Sequence, residues 1–317
     1  MKKLKKWSSL ILVAMLLCGM ILLTACDEKA GTSSGASDEK TEANSDSSDE
    51  RTEMDSDSSD ETTSDDSNDI VASVGLKYEV NTDGKTCAIT GIGTCTDTEI
   101  VIPKAIDGYS VTSIGKGAFS DCSSLTSITI PDSVTSIGNG SFYNCSNLAS
   151  ITIPDSVTSI GETAFKYCSS LTNISISNRV TSIGEAAFSY CSSLTSIAIP
   201  NSVTSIGRFA FYKCSSLTSI TIGDSVTSIG YAAFSGCSSL TSITISNSVT
   251  SFDKYVFENC SSLSIVYYNG TAAAWAKISI GSGNSYLTNA TRYYYSETQP
   301  ATSGNYWRYV NGVPTAW

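Results

Sequence analysis

The chain has 317 residues and a formal net charge of −11 that is distributed unevenly along its length. Residues 1–26 carry +4, residues 27–70 carry −13, and residues 71–317 carry only −2, which gives no basic face for a nucleic acid partner. The chain contains no histidine, and this excludes a Ser-His-Asp triad, a Cys-His pair and every histidine metal site.

Residues 1–25 have the pattern of a bacterial signal peptide. Four lysines among the first six residues precede a mostly apolar stretch from Leu10 to Leu23, which is shorter than the roughly 20 residues that span a bilayer. The ending Leu-Thr-Ala-Cys resembles the lipobox of bacterial lipoproteins, in which Cys26 would receive a diacylglyceryl group. We therefore predict lipidation of Cys26 and an extracytoplasmic location. The alternative is an ordinary secretion signal followed by a chance cysteine.

Residues 26–70 are predicted to be an acidic tether that begins at the lipidated cysteine. Residues 27–70 hold 16 Asp and Glu side chains against three basic ones, and Ser-Asp-Ser-Ser-Asp-Glu occurs twice, at 45–50 and 56–61. Such a chain cannot bury enough apolar surface to offset the entropy lost on ordering, so it is expected to be disordered. Its average reach is about 40 Å.

A 23-residue repeat occupies residues 111–268. The motif Val-Thr-Ser-Ile begins at Val111 and returns every 23 residues up to Val226, and a variant with phenylalanine begins at Val249. A fixed period of this length with Leu-x-x-Ile-x-Ile spacing is the signature of a leucine-rich solenoid. Phenylalanine, cysteine and leucine recur with the same step, and the cysteine column is Cys122, Cys145, Cys168, Cys191, Cys214, Cys237 and Cys260.

Each repeat predicts two short strands and one turn. In Leu-Thr-Ser-Ile-Thr-Ile-Pro, Ile128 and Ile130 point inward while Ser127 and Thr129 point outward, and Pro131 ends the strand. The Val-Thr-Ser-Ile motif forms the second strand, which a glycine ends, and the segment from this glycine to the cysteine is predicted to be a short helical turn. One repeat buries too little apolar surface to fold alone, so neighbouring coils must stack through parallel strand ladders.

The cysteines of the column are predicted to be buried free thiols, each acting as a small apolar side chain. In-register side chains on adjacent coils lie about 4.8 Å apart with parallel Cβ directions. A disulfide needs Cβ atoms about 3.5–4.5 Å apart and turned toward each other. A disulfide or metal ladder is the alternative. Cys87 and Cys95 lie outside the column, and a bond between them stays open.

Both ends of the solenoid are predicted to carry caps. Residues 71–110 combine a hairpin at 76–90 with an irregular first coil, and residues 269–295 form a C-terminal cap with a short helix and a strand. Residues 296–317 are an aromatic tail that is a candidate hairpin turning at Asn311-Gly312. The tail is interpreted either as a packed or flexible end or as a glycan contact through its aromatic side chains, which are Trp307, Tyr309 and Trp317.

Tyrosine, lysine and arginine cluster between the glycine and the cysteine of successive repeats. The outward strand positions hold small hydroxyl side chains instead, without the Trp, Tyr or Arg anchors of strong interfaces. We therefore predict that specific contacts lie on the turn side, and the alternative is that the tyrosines only shield the coil edge. The candidate contact residues on this side are Tyr143, Tyr167, Tyr190, Arg208, Tyr212 and Tyr231.

The repeat unit, from Val-Thr-Ser-Ile-Gly through Ala-Phe and Cys-Ser-Ser-Leu to Ile-Thr-Ile-Pro, resembles the BspA-like leucine-rich repeat, also called type 5. This resemblance implies a leucine-rich-repeat solenoid, predominantly β with short helical turns, built from 23-residue repeats with parallel strand ladders and capped by hairpins. Known members are surface proteins of bacteria and protists, several of them implicated in adhesion to host matrix proteins, epithelial cells or other bacteria. They share no catalytic residues, so none is transferred to this chain.

The sequence thus predicts a non-enzymatic, monomeric cell-surface lipoprotein that presents its solenoid for adhesion or for recognition of a protein or glycan. No cofactor and no metal are predicted, and contact with the membrane is expected only through the lipid anchor. The chain has neither a nucleophile elbow nor a phosphate-binding loop. A second interpretation is an envelope-retained lipoprotein that contacts cell-wall polymer through its aromatic tail.

Overall fold

The computed structural model describes residues 71–317, and it begins with a cap that supports the first coil. Two antiparallel strands form the expected hairpin, whose turn is held by Asp83 accepting backbone hydrogen bonds from Lys85 and Thr86 at 2.8 and 2.9 Å. The N–H of Ser73 donates to the carbonyl of Val101 at 2.9 Å and so covers a strand edge. The strands of this region are Lys77–Val80 (β1), Thr86–Gly91 (β2), Glu99–Val101 (β3), Ala105–Ile106 (β4) and Tyr109–Ile114 (β5).

One side of each coil is a two-residue strand made by the last two residues of the Val-Thr-Ser-Ile motif. These strands pair in parallel and in register, so Ser182 faces Ser205 and Ile183 faces Ile206. Together with β1, β2, β4 and β5 they form an 11-stranded sheet, the first ladder. Its further strands are Ser136–Ile137 (β7), Ser159–Ile160 (β9), Ser182–Ile183 (β11), Ser205–Ile206 (β13), Ser228–Ile229 (β15), Ser251–Phe252 (β17) and Ser279–Ile280 (β19).

A second side of each coil is a longer strand from the Leu-Thr-Ser-Ile-Thr-Ile motif, and these strands form the second ladder. The ladder consists of a four-stranded sheet that includes β3 and a seven-stranded sheet that reaches the C-terminus. Alternation buries its isoleucines and exposes most of its serines and threonines. Its strands inside the repeats are Ser127–Thr129 (β6), Ser150–Thr152 (β8), Asn173–Ser175 (β10), Ser196–Ala198 (β12), Ser219–Thr221 (β14), Ser242–Ser246 (β16) and Ile265–Asn269 (β18).

The third side, from the glycine to the cysteine of each repeat, is a run of consecutive turns, and we call it the turn side. The short helical turn expected here is not formed, because Thr163 and Tyr167 have positive φ values of 55° and 66°, outside the right-handed helical region. The N–H groups of Thr163, Phe165 and Tyr167 donate to carbonyl groups of the following coil at 2.8–2.9 Å, and only the intervening N–H groups close turns within the coil. Helical hydrogen bonds would have satisfied the backbone N–H groups within each coil, whereas the observed hydrogen bonds join neighbouring coils.

The interior is a stack of in-register apolar columns. The seven phenylalanines that follow the glycine column stack with ring centroids 5.2–5.5 Å apart and interplanar angles of 2–14°. The coils approach so closely that a Cβ added at Gly184 would lie 2.8 Å from the backbone of Gly161. Glycine at this position therefore allows the coil spacing that the phenylalanine stack requires.

The cysteine column satisfies backbone carbonyl groups of the preceding coil. The Sγ of Cys191 lies 3.1 Å from the carbonyl oxygen of Phe165, and the thiols from Cys145 to Cys260 repeat this hydrogen bond at 3.0–3.2 Å. All the cysteines of residues 71–317 are free thiols, including Cys87 and Cys95. A cysteine in each coil thus combines a small buried side chain with a weak donor at a carbonyl group.

Two short helices and a hairpin close the C-terminal end. The hydroxyl of Thr271 caps the first helix by accepting a hydrogen bond from the N–H of Ala274 at 3.2 Å. The segment 269–295, predicted as a cap, also adds one strand to each ladder. The tail forms a hairpin that turns at Asn311 and Gly312. These elements are Ala272–Trp275 (α1), β19, Ser285–Asn289 (α2), Thr291–Tyr295 (β20), Tyr306–Val310 (β21) and Val313–Ala316 (β22).

The predicted signal peptide of residues 1–25, the lipidation site Cys26 and the acidic tether up to residue 70 lie outside the described residues. Export and lipid anchoring therefore stay predictions. Within residues 71–317, neither α1 nor α2 has the length and apolar character needed to cross a membrane.

Candidate functional site: an aromatic ladder on the turn side

Seven aromatic rings form a continuous line along the turn side, which we call the aromatic ladder. Successive ring centroids lie 4.7–5.6 Å apart. Five of the six contacts are edge-to-face, and the Tyr167–Tyr190 pair is stacked at 4.7 Å. Such pairs stabilise each other beyond simple burial, by about 0.5–1.5 kcal/mol. In spatial order the ladder consists of Tyr143, Tyr167, Tyr190, Tyr212, Phe209, Tyr231 and Tyr255.

Three cationic side chains lie against the rings of the ladder. The ammonium nitrogen of Lys213 is 5.4 Å from the ring centroid of Tyr190 and 5.6 Å from that of Tyr212. Lys166 and Arg208 lie over other rings of the ladder at 5.2–5.9 Å. Contacts of this kind contribute about 0.5–1 kcal/mol each at exposed sites. The cations are thus positioned beside aromatic surface, where an anionic group could approach them.

The backbone of the turn side determines which residues face outward. Tyr167, Tyr190 and Lys213 share one column and have positive φ values of 66°, 63° and 57°. Between the outward columns, an Ala-Phe pair such as Ala187-Phe188 points into the core and is fully buried. The left-handed conformation costs about 1–2 kcal/mol per residue, and the inter-coil hydrogen bond made by each N–H of this column offsets that cost.

A shallow groove of about 400 Å³ opens beside the middle of the ladder. Tyr190 and Lys213 form one wall, and Gly236, the next residue of their column, leaves the adjacent step without a side chain. None of the described residues that line the groove is acidic. The remaining lining residues carry hydroxyl or amide groups, namely Ser192, Ser215, Ser238 and Asn259.

All six contact residues predicted on the turn side lie in or against the ladder. The 23-residue step brings Tyr167 directly against Tyr190, because the two rings occupy the same position in adjacent coils. Phe209 was missed as a candidate, although it bridges Tyr212 and Tyr231 with centroid distances of 5.6 and 5.3 Å. An aromatic residue in a column otherwise rich in small side chains was the signal that would have identified it.

The aromatic tail packs mostly on the solenoid itself. Trp307 was predicted as a candidate partner contact, but its side chain is completely buried and its indole N–H donates to the carbonyl of Tyr268 at 2.9 Å. The ring of Tyr267, which points outward from β18, lies 5.4 Å from that of Trp307. Trp307 is thus part of the cap core, and its ring is not presented to a partner.

The other two aromatic candidates of the tail keep part of their surface in solvent. Tyr309 is 36% exposed and Trp317 is 37% exposed. The guanidinium of Arg308 lies 3.8 Å from the ring centroid of Trp317, so one face of that ring is already covered. Burial, with the charge of Asp224 adding to it, raises the pKa of Tyr309. The tail therefore presents two partly covered aromatic rings to solvent, and not all three of the rings that were candidate partner contacts.

The described residues offer few groups for metal binding or catalysis. Within residues 71–317, no group of three or more Cys, Asp or Glu side chains is placed to hold a metal ion. The column thiols from Cys145 to Cys260 are buried, and desolvation raises their pKa, which keeps them protonated and unreactive near neutral pH. What the turn side can do chemically is bind a partner through aromatic, cationic and hydroxyl groups.

Comparison with known protein families gives a single clear assignment. The model for the BspA type leucine rich repeat region matches residues 94–197 and 181–275, with six copies of the repeat. Members of this family are typically located at the cell surface or outside the cytoplasm. No curated protein matches the chain.

Two solved structures show the same architecture. The chain is similar to the leucine-rich repeat protein of T. pallidum, with 32% identity and a TM-score of 0.56 over 60% of this chain and 88% of that one. It is also similar to a leucine-rich repeat protein from Bacteroides ovatus, with 27% identity and a TM-score of 0.53 over 71% of this chain and 70% of that one. The predicted fold class is therefore confirmed.

Proposed function

Because the chain belongs to the BspA-type leucine-rich repeat family of bacterial surface-type proteins, we propose that it is a non-enzymatic surface lipoprotein that binds a protein or glycan through its aromatic ladder. The basic and apolar N-terminal sequence supports export, and the motif that ends at Cys26 supports lipid attachment. The acidic tether of residues 27–70 would separate the solenoid from the membrane.

One observation carries the assignment of the binding side. The aromatic ladder and its cations interrupt a surface that is otherwise dominated by serine and threonine. Tyrosine and arginine are the side chains that most often dominate binding energy, since they offer large rigid contact area together with a polar end. The aromatic tail supports a cell-wall function less well, because Trp307 is buried.

Protease treatment of intact cells tests where the solenoid is displayed. If the proposal holds, added protease removes the solenoid while the cells stay whole and a cytoplasmic marker stays intact. Cleavage that requires the wall or envelope to be opened first would overturn surface display. In that case the partner would be sought among cell-wall polymers and neighbouring envelope proteins.

A matched pair of fourfold variants tests the binding side. The first variant replaces ladder tyrosines by serine, at Tyr143, Tyr167, Tyr190 and Tyr212. The control replaces outward residues of the second ladder by alanine, at Ser150, Asn173, Ser196 and Ser219. Cells that display each variant are assayed for adhesion to immobilised matrix proteins and glycans.

We expect the tyrosine variant to lose at least tenfold in adhesion while the control adheres like the parent chain. Circular dichroism and a melting curve show that both variants fold. Equal adhesion of the two folded variants would mean that the tyrosines only shield the coil edge.

A further inference from the structure

We propose that the groove beside Tyr190 and Lys213 binds an acidic sugar residue of an anionic polysaccharide. The inference rests on the proposed function, because it names the partner class of the turn side that was assigned above. It follows from four properties of the groove, which are its aromatic wall, its cationic side chain, its hydroxyl lining and, within the described residues, its lack of a free backbone edge.

The wall combines an aromatic ring with a cation. Lys213 lines the groove, and its ammonium nitrogen lies 5.4 Å from the ring centroid of Tyr190 and 5.6 Å from that of Tyr212. Among residues 71–317, no acidic side chain lines the groove, so none of them neutralises the charge there. A sugar carboxylate would form a charge-assisted hydrogen bond with the ammonium, and the sugar ring would contact the edge of Tyr190, whose ring faces lie against Tyr167 and Lys213.

The floor is lined by hydroxyl groups at regular intervals. Ser192, Ser215 and Ser238 each donate their hydroxyl hydrogen to a carbonyl of the preceding coil at 3.4–3.5 Å. Their oxygen atoms remain able to accept hydrogen bonds from the hydroxyl groups of a sugar. Because successive coils are about 4.8 Å apart, these acceptors form a row along which a linear polysaccharide can extend.

Gly236 leaves space beside the side chain of Lys213. Tyr167, Tyr190 and Lys213 precede Gly236 in the same column, and asparagine follows at Asn259. A Cβ added at Gly236 would lie 3.0 Å from the Cγ of Lys213, so even a small side chain would crowd the lysine. The absence of a side chain at this one step gives a ligand access to the ammonium group from the side.

The backbone of the groove favours a glycan over an acidic peptide. A peptide that binds along a strand needs free N–H and C=O groups at an edge. Here the N–H groups of Tyr190, Lys213 and Gly236 already donate to the following coil at 2.7–2.8 Å. The groove is also shallow and offers no enclosed pocket for a peptide side chain.

Binding of the full-length chain, purified in detergent, to immobilised polygalacturonate, hyaluronan and alginate tests the inference. Dextran is the neutral control, and poly-glutamate tests whether any carboxylate polymer suffices. We expect binding to at least one acidic polysaccharide, with an affinity at least tenfold higher than for dextran or poly-glutamate.

Three substitutions use the residue that the column itself contains elsewhere. Asparagine occupies this column at Asn144 and Asn259 with φ of 57°, so Tyr190→Asn, Lys213→Asn and Gly236→Asn each introduce a side chain that tolerates this backbone conformation. Each is expected to weaken polysaccharide binding at least fivefold. Asp121→Asn, at an exposed position of the same column three coils before Tyr190, is the control and is expected to leave the affinity unchanged.

Three results would overturn the inference. These are no binding to any acidic polysaccharide, equal binding to poly-glutamate, and unchanged affinity in the three groove variants when melting curves show that they fold. If ladder-dependent adhesion persists in any of these cases, only the glycan inference fails and the proposed function stands. If the folded tyrosine variant also adheres like its control, the glycan inference and the proposed function both fail.

Discussion

The side-chain oxygen of Asn284 accepts a hydrogen bond from the backbone N–H of Phe257 at 3.0 Å. In an interior coil the equivalent N–H donates to a backbone carbonyl of the next coil, as that of Phe234 does at 3.0 Å. The amide nitrogen of Asn284 also donates to the carbonyl groups of Asp253 and Gly281 at 2.9 and 2.8 Å. The buried side-chain amide of Asn284 thus supplies hydrogen bonds that a further coil would otherwise supply.

We predict that Asn284→Ala destabilises the solenoid from its C-terminal end. The substitution leaves the N–H of Phe257 buried and unpaired, and an unsatisfied buried group costs about 1–3 kcal/mol. Urea unfolding measures the free energy, and hydrogen exchange shows whether the last coils open first. Asn289→Ala, at an exposed asparagine of the same region, is the control and should change the free energy by less than about 0.5 kcal/mol. Equal effects of the two substitutions would contradict the capping role.

The close approach of coils at the glycine column leads to a second prediction. A Cβ at Gly184 would lie 2.8 Å from the carbonyl carbon and oxygen of Gly161, and this backbone cannot move without disturbing the ladders. Gly184→Ala should therefore lower the free energy of unfolding by about 1–3 kcal/mol. Ser182→Ala, at an exposed position of the same strand, should be nearly neutral. A Gly184→Ala variant that melts like Ser182→Ala would show that the coils can separate freely.

The buried thiols predict a loss of stability at alkaline pH. Desolvation raises the pKa of Cys168, Cys214 and Cys260 to about 12, compared with a reference value of 9.0. Below pH 9 these thiols stay protonated in both the folded and the unfolded state. Above pH 9 the thiols of the unfolded state ionise first, so the free energy of unfolding falls between about pH 9 and 12. Each thiol contributes a slope of at most about 1.4 kcal/mol per pH unit.

Urea midpoints measured from pH 7 to 10.5 check this prediction. The variant Cys214→Ala should show a shallower decline than the parent chain, because one buried titrating group is gone. Other groups that titrate in this range are common to both proteins and cancel in the comparison. Identical slopes would mean that the thiol of Cys214 is not protected from ionisation by the fold.

Native-state alkylation should separate Cys122 from the rest of its column. Cys122 is partly exposed and its thiol lies 3.9 Å from the carbonyl of Ser120 in its own coil, whereas Cys191 is fully buried and bonded to the preceding coil. Iodoacetamide followed by peptide mass spectrometry should find Cys122 modified well before Cys191. Equal modification rates would indicate that the whole column opens together.

Much of the architecture could be predicted because the repeat is so regular. A constant step of 23 residues means that equal positions must stack, which is why the contact between Tyr167 and Tyr190 could be expected from the spacing alone. The same step predicted both parallel ladders and the inward isoleucines. Each of these features depends only on periodicity and on which side of a strand a residue occupies.

Two features depended on information that periodicity does not contain. Left-handed residues such as Tyr190 are stabilised by bonds to the next coil, and no local propensity of tyrosine indicates them. The burial of Trp307 arises because the tail folds back over Tyr267, a contact between segments 40 residues apart. Sequence shows the aromatic character of the tail but not the surface that covers it.

The inter-coil backbone hydrogen bonds made by the residues between the glycine and the cysteine of each repeat all point the same way. Three N–H groups in each coil face the C-terminal end, and the carbonyl groups of the same peptide units face the N-terminal end, as for Phe142 and Ala164. Their dipoles therefore add along the axis, as they do in an α-helix. The turn side therefore has a positive end that Asn284 partly neutralises, whereas backbone N–H groups on the other sides, such as those of Thr158 and Thr172, donate to the preceding coil and oppose this polarity.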